Sequence, residues 1–314
     1  MTISLRKIFI LAGPTASGKT QLAAHVARRT GAEILGADAI QVIQGLDILA
    51  AKPSTTLRQQ IPHHLIDTFS PREEINVARY LDKANRAIAE IESRDRVVLI
   101  VGGSGFYLHA LLEGMNALPS KQYAHRNTLE SYQESSLYRM LRALHAEHSE
   151  IIDRDNKRRL TRALELLMVG TSLSNHSSQE LPVRVGGVPK FQSLGGVLLG
   201  WERTPLRHRI KKRIEAMFQE GVIEEFYKLP QKNEYQATKP IGYTEIQGLI
   251  AGTFGLKQCK ELLFHATCQY AKRQAVWFNK YSSLPTVEIC DENGLNRLGE
   301  TIVQKIIDRS KQFA

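Results

Sequence analysis

With 314 residues, 42% of them hydrophobic and 24% charged, the chain can form one large α/β domain with a smaller one inserted or appended, and its composition excludes wholesale disorder. Lys and Arg number 42 against 32 for Asp and Glu, a formal charge of +10 that suits a polyanion such as RNA as partner, although a generally basic surface explains it equally well. The three cysteines, Cys259, Cys268 and Cys290, contain no CxxC pair and read as reduced thiols, and no apolar run reaches membrane-spanning length, so the expected compartment is the cytoplasm.

In chain order, the apolar run Ile8 to Ala12 predicts a buried parallel strand. A helix follows over Gly18 to Arg29, with Leu22, Ala23, Val26 and Ala27 on one face. A second strand over Glu33 to Asp38 ends in a carboxylate, and a third over Val97 to Val101 ends in glycines and leads into a helix over Phe106 to Leu112. Between Leu118 and Pro189 strand-like runs disappear; helices are expected over Ser136 to His148 and over Asn156 to Val169, the latter capped by Asp155. Thr171 to Gly196 reads as a long polar connection. A fourth strand is expected over Val197 to Leu199, then helices over Pro205 to Glu220, Ile223 to Leu229, Thr244 to Ala251, Leu256 to Tyr281 and Val303 to Lys311. The alternation implies an α/β fold: a P-loop NTPase-like parallel sheet core (1–117 and 190–314) with an inserted helical domain (118–189).

Gly13, Pro14, Thr15, Ala16, Ser17, Gly18, Lys19 and Thr20 fit GxxxxGK[ST] between a strand and a helix, the context such a loop requires. Its glycines let successive N–H groups curl around phosphate oxygens, the helix adds its positive end, Lys19 adds a charge, and the Thr20 hydroxyl suits Mg²⁺. The motif leaves open whether ATP, GTP or an alkyl diphosphate is bound. Asp38 is open between a Mg²⁺-holding carboxylate, a general base and a turn or cap residue. In Gly102-Gly103-Ser104-Gly105, the Ser104 hydroxyl could donate to a phosphate or leaving-group oxygen, or the segment could be a glycine turn that caps the next helix.

These pieces resemble the tRNA dimethylallyltransferases. The matching blocks are GPTASGKT at 13–20, GADAIQVIQGLDILAAKPS at 36–54, PHHLID at 62–67, GGSGFYLHALLEGM at 102–115, RRLTRALEL at 158–166, PIGYTEI at 240–246 and QYAKRQAVWF at 269–278. The resemblance implies transfer of a dimethylallyl group from dimethylallyl diphosphate to N6 of the adenosine 3′ of the anticodon, in tRNAs reading codons that start with U, with Mg²⁺ assisting. It implies Asp38 as base, Lys19 and Ser104 as further catalytic groups, and 13–20 as the diphosphate loop. It implies tRNA contacts at Asp38, Ala39, Ile40, Gln41 and Ser104. Others would come from Arg126, Arg158, Arg159, Leu160, Thr161 and Arg162, and from Lys239, Lys272, Arg273 and Gln274. Independently of the resemblance, the helix at 156–169 turns Leu160, Ala163 and Leu164 to one face and Arg158, Arg159 and Arg162 to the other. Arg209 and Arg213 are in place to reach the diphosphate as lid arginines. His63 and His64 are expected to serve structure, and Tyr270 and Trp277 to pack in the core. The chain departs from the pattern at Ala39, Ile43, Gln44, Leu49 and Ala50, and at Cys268, where arginine is usual. A P-loop small-molecule kinase, an adenylate isopentenyltransferase and a non-catalytic RNA-binding protein with a decayed site are the competing readings. A monomer acting on the tRNA anticodon stem-loop is the expected assembly.

Overall fold

The run Ile8–Ala12 has no polar face, so its backbone must be paired on both edges and covered on both sides. The computed structural model, which describes residues 6–116, 123–170, 184–185, 194–230, 234–282 and 284–311, places this strand inside a six-stranded sheet. The first half of the chain runs β1 (Ile8–Ala12), α1 (Lys19–Thr30), β2 (Glu33–Gly36), α2 (Thr55–Gln60), β3 (His63–His64), α3 (Val77–Ser93), β4 (Val98–Gly102) and α4 (Gly105–Glu113). Next come β5 (Met115–Asn116), α5 (Tyr123–Glu130), α6 (Glu134–Leu144), α7 (Ala146–Ile151), α8 (Lys157–Met168) and β6 (Arg184–Val185). The chain closes with β7 (Gly195–Trp201), α9 (Arg203–Gln219), α10 (Val222–Tyr227), α11 (Tyr243–Ile250), α12 (Leu256–Tyr281), β8 (Thr286–Ile289) and α13 (Glu292–Ser310).

The sheet order is β3-β2-β4-β1-β7-β8, and every pairing is parallel. All the loops that leave its carboxyl edge therefore emerge on one side, where ligands of open parallel sheets bind. Phe9 and Leu11 turn one way and pack with Leu22 and Val26 of α1 and with Ile302 and Ile306 of α13. Burying each of these side chains stabilises by roughly 1.5–3 kcal/mol as an upper estimate. Ile8 and Ile10, one residue out of phase, turn to the other face. There the fully buried Tyr80 of α3 donates its phenol to Gly36 O at 3.0 Å.

Contacts divide the chain into two compact units, residues 1–114 with 186–314 and residues 115–185. The second unit begins and ends on the antiparallel pair β5–β6, so its two ends lie side by side. Leu137 and Leu141 of α6 pack there against Leu160 and Leu164 of α8. Glu165 is buried among them, and its carboxylate is met by Arg162 Nη1 at 2.9 Å and Arg126 Nη1 at 3.6 Å.

Several expectations need correction. The second strand stops at Gly36, so Asp38 stands in the turn beyond it. The helix expected over Ser136 to His148 is two helices, because His145 takes an extended φ of −156° and its ring accepts from His148 N. Asn156, not Asp155, caps α8, its Oδ1 accepting from Arg159 N at 3.2 Å. The last helix starts eleven residues early, at Glu292, behind the cap Asp291, whose Oδ1 accepts from Gly294 N at 2.7 Å. The strands β3 and β8 and the helix α3 were not expected at all. Most of the Thr171 to Gly196 connection lies outside the described residues.

Gly102 ends β4 where β2 crowds in, and a Cβ there would run into the Ala37 carbonyl. Gly102→Ala should therefore lower stability by about 1–3 kcal/mol, seen as a lower urea midpoint at unchanged slope. An unchanged midpoint would contradict the close approach.

Candidate active site

The phosphate loop leaves β1 at Gly13 and closes on α1, with Ala16 (φ 62°) and Gly18 (φ 90°) in left-handed conformation. That pair of turns aims the amides of the loop and of the first turn of α1 at one point. The Lys19 ammonium donates to Gly13 O at 2.9 Å and Pro14 O at 2.7 Å. The residue keeps some surface toward the cavity, but its charged end is enclosed, and burial lowers its pKa from 10.5 to about 8. Asp38 opposes that shift, and the Arg213 guanidinium adds to it.

Three elements brace the loop from outside. From α9, Arg213 Nη1 donates to Thr15 Oγ1 at 2.7 Å and Arg209 Nε donates to Ala16 O at 2.8 Å. From β7, Trp201 Nε1 donates to Ser17 O at 3.0 Å, and the Arg209 guanidinium lies over the Trp201 ring. From α12, Gln274 Oε1 accepts from Thr15 N at 2.8 Å while its Nε2 donates to Gly103 O at 2.8 Å. Gln274 thus ties the loop to the end of β4.

That strand end faces Asp38. The Asp38 Oδ1 accepts from Ile40 N at 2.8 Å and Gln41 N at 3.2 Å, a side-chain turn that fixes the carboxylate. Its Oδ2 has no hydrogen bond to a described residue. Ser104 stands at the N-cap of α4, but its hydroxyl does not cap the helix; it accepts from Ala39 N at 2.9 Å. The Tyr270 phenol meets the same hydroxyl, and burial, helped by the Asp38 charge, pushes that phenol up to about 12. Gly105 lets the Trp277 ring lie flat on the backbone at the start of α4.

The loop from Thr15 to Thr20, Asp38, Gly103, Tyr270 and Gln274 line one cavity of about 770 Å³, whereas Ser104, Trp201 and Trp277 do not border it. The phosphate loop, Asp38, Ala39, Ile40, Gln41, Arg213 and Tyr270 border it at one end, and Leu49, Met217 and Leu263 give it apolar wall. The Glu225 carboxylate accepts from Ile48 N and Leu49 N and so holds that wall in place. Among the described residues no cluster of three His, Cys, Asp or Glu could cage a metal. The Thr20 hydroxyl and Asp38 border the same cavity, and such a sparse set of hard oxygen donors fits Mg²⁺ that arrives on phosphate oxygens.

The residues expected at RNA are distributed unevenly. Arg158 and Arg159 are exposed on α8, whereas Leu160 and Thr161 are fully buried in their own unit. Arg126 and Arg162 are engaged with Glu165. Gln274 is 6% exposed and both ends of its amide bond the backbone, so its side chain acts as a clamp. Gln41 donates to Ala50 O and Ala51 O. Arg273 and Lys239 border the cavity, the first near the Tyr270 ring and the second over Tyr243. Lys272 borders a different cavity. His64 pairs with Glu33 at the other end of the sheet, as a structural histidine would. Tyr270 was assigned to core packing; its spacing of four residues from Gln274 and seven from Trp277 puts all three on one helix face, a signal that could have found it.

The Lys19 shift predicts a pH dependence for anion binding. The ammonium form persists below about pH 8 and is lost above it, so pyrophosphate affinity should fall by about tenfold between pH 7 and 9.5, measured by calorimetry. A flat profile would contradict the role of the lysine.

The family model for IPP transferase matches residues 41–281. The tRNA dimethylallyltransferase 2 of Geotalea uraniireducens is 36% identical over 290 residues, 90% of this chain and 92% of that protein. The tRNA dimethylallyltransferase of Thermus thermophilus is 37% identical, over 87% of this chain and 90% of its own. The crystal structure of full-length tRNA isopentenylpyrophosphate transferase from Bacillus halodurans superposes with a TM-score of 0.67 at 29% identity, covering 98% of this chain and 99% of that one. A eukaryotic dimethylallyltransferase solved acting on tRNA shares the fold, with a TM-score of 0.73 at 22% identity over 92% of this chain and 75% of its own. With the family model matching well over half of the chain and a relative 36% identical over 90% of it, the chain belongs to the IPP transferase family.

Proposed function

We propose that this chain transfers a dimethylallyl group from dimethylallyl diphosphate to N6 of the adenosine 3′ of the anticodon, in tRNAs reading codons that begin with U, and releases diphosphate. The observation that carries the reading is that the phosphate loop, Arg213 and the Asp38 carboxylate border one cavity. A diphosphate held by the loop amides, Lys19 and Arg213 would direct its prenyl carbon along that cavity. As the N6–carbon bond forms, the carbon–oxygen bond breaks and the electron pair leaves on the diphosphate.

The N6 lone pair is delocalised into the ring, so the amine needs a proton acceptor as it reacts. Asp38 suits this role, because its Oδ1 is fixed by two amides and its Oδ2 is left for the proton. Preformed donors and charge stabilise the leaving diphosphate. Bound Mg²⁺ would neutralise charge on the departing oxygens, with the Thr20 hydroxyl as the protein ligand. The Ser104 hydroxyl does not border the cavity; held between Ala39 N–H and the Tyr270 phenol, it would position those two groups rather than touch phosphate itself. An adenine stacked in a loop must be turned out to reach such a depth. The names of the relatives support tRNA as acceptor, and the exposed Arg158 and Arg159 suit its backbone.

In single-turnover assays with labelled dimethylallyl diphosphate and tRNA, Asp38→Asn should slow transfer by about 10²- to 10⁴-fold while pyrophosphate binding persists. Wild-type rates in Asp38→Asn would remove the base assignment. Arg158→Ala with Arg159→Ala should raise KM for tRNA and lower the salt slope of binding by about 1–2, with kcat at saturating tRNA unchanged. An unaltered salt slope would take α8 out of the RNA interface.

A further inference from the structure

A second cavity, of about 630 Å³, lies in the same unit between the β7–β8 edge of the sheet and the helices α9 and α12. Its volume falls in the range of small-molecule sites. Its floor is apolar, built by Leu198 of β7, Leu206 of α9, and Ala271, Ala275 and Phe278 of α12. Its wall is cationic: Arg203 and Arg207 from α9 and Lys272 from α12 border it. Arg207 is seated over the Phe264 ring at 4.7 Å. Among the described residues no carboxylate pairs with any of these three cations. Glu288 borders the cavity from β8, with its carboxylate lying over Gly200.

We propose that this cavity is a binding site for an amphiphilic anion, an apolar chain carrying a phosphate head, seated with its chain on Phe278 and Ala275 and its head at Arg203 and Arg207. An apolar floor would give a nucleic-acid backbone nothing to bury, while cations that no described carboxylate pairs with would leave a purely apolar ligand beside uncompensated charge. Only a ligand that combines both features satisfies both surfaces. Cys268 borders the cavity near both guanidinium groups, and its small thiol leaves the space open. Burial raises that thiol even though the arginines oppose the rise, so it is a slow but accessible reporter. The cavity is distinct from the diphosphate cavity, although Ile210 of α9 borders both and Pro14 of the phosphate loop borders this one.

The test uses the full chain with Cys290→Ser, which removes the exposed thiol and leaves Cys268 as the reporter, since Cys259 is fully buried. Alkylation of Cys268 by iodoacetamide is followed by mass spectrometry while decyl phosphate is titrated below its micelle concentration. Decyl phosphate should protect Cys268 saturably, by at least about fivefold, and Arg203→Gln with Arg207→Gln should weaken protection by about tenfold. Ala275→Trp, which fills the floor, should abolish protection while leaving pyrophosphate binding intact. Absence of protection overturns the proposal. So does equal protection by inorganic phosphate, or protection by a short oligoribonucleotide where decyl phosphate gives none; the last result would assign this face to RNA.

Discussion

Two enclosed cations, Lys19 and Arg213, face a single carboxylate, Asp38, and the rest of the site is arranged around that imbalance. Burial disfavours charge on both cations and lowers both pKa values; Asp38 opposes the shift in each case, joined by Tyr270 at Arg213. Such an arrangement is costly unless an anion completes it. On the proposed reading, a diphosphate would supply the missing charge and leave Asp38 to take a proton rather than to balance cations. The same electrostatics would then serve both donor binding and the proposed base.

The sheet order delivers this geometry. The first and second strands are not neighbours; the Gly102 strand runs between them. The amide curl and Asp38 therefore stand on either side of the Gly102 strand, and among the described residues no ion pair joins Lys19 or Arg213 to Asp38. Gln274 spans the segment Gly103-Ser104 from the loop side and Ser104 from the Asp38 side, so hydrogen bonds link the loop, the strand end and the Asp38 turn.

Much of this was legible in the residues because it rests on local backbone rules. GxxxxGK[ST] needs its glycines wherever it occurs, and continuous apolar runs identify buried strands. The polar start of the last helix hid its length, since Asp291 caps a first turn with little hydrophobic signal. Two-residue and edge strands such as His63–His64 and Thr286–Ile289 carry too short a pattern to read. Within the matched blocks, sequence could not separate contact residues from supports. Lys52 is spent on Asp67 and Asp47, Gln41 on two carbonyls, Gln274 on the loop, and Leu160 on its own core. Those assignments depend on which side of an element faces the ligand, which only tertiary packing decides.

The central claim is that one cavity joins a diphosphate cradle to a base poised for an adenine amine. Its most direct measurement is nucleoside analysis of unmodified bulk tRNA after incubation with the protein, Mg²⁺ and labelled dimethylallyl diphosphate. The account predicts label in N6-dimethylallyladenosine next to the anticodon, with one diphosphate released per base modified. Unlabelled tRNA accompanied by phosphoryl transfer from ATP to a small molecule would contradict it.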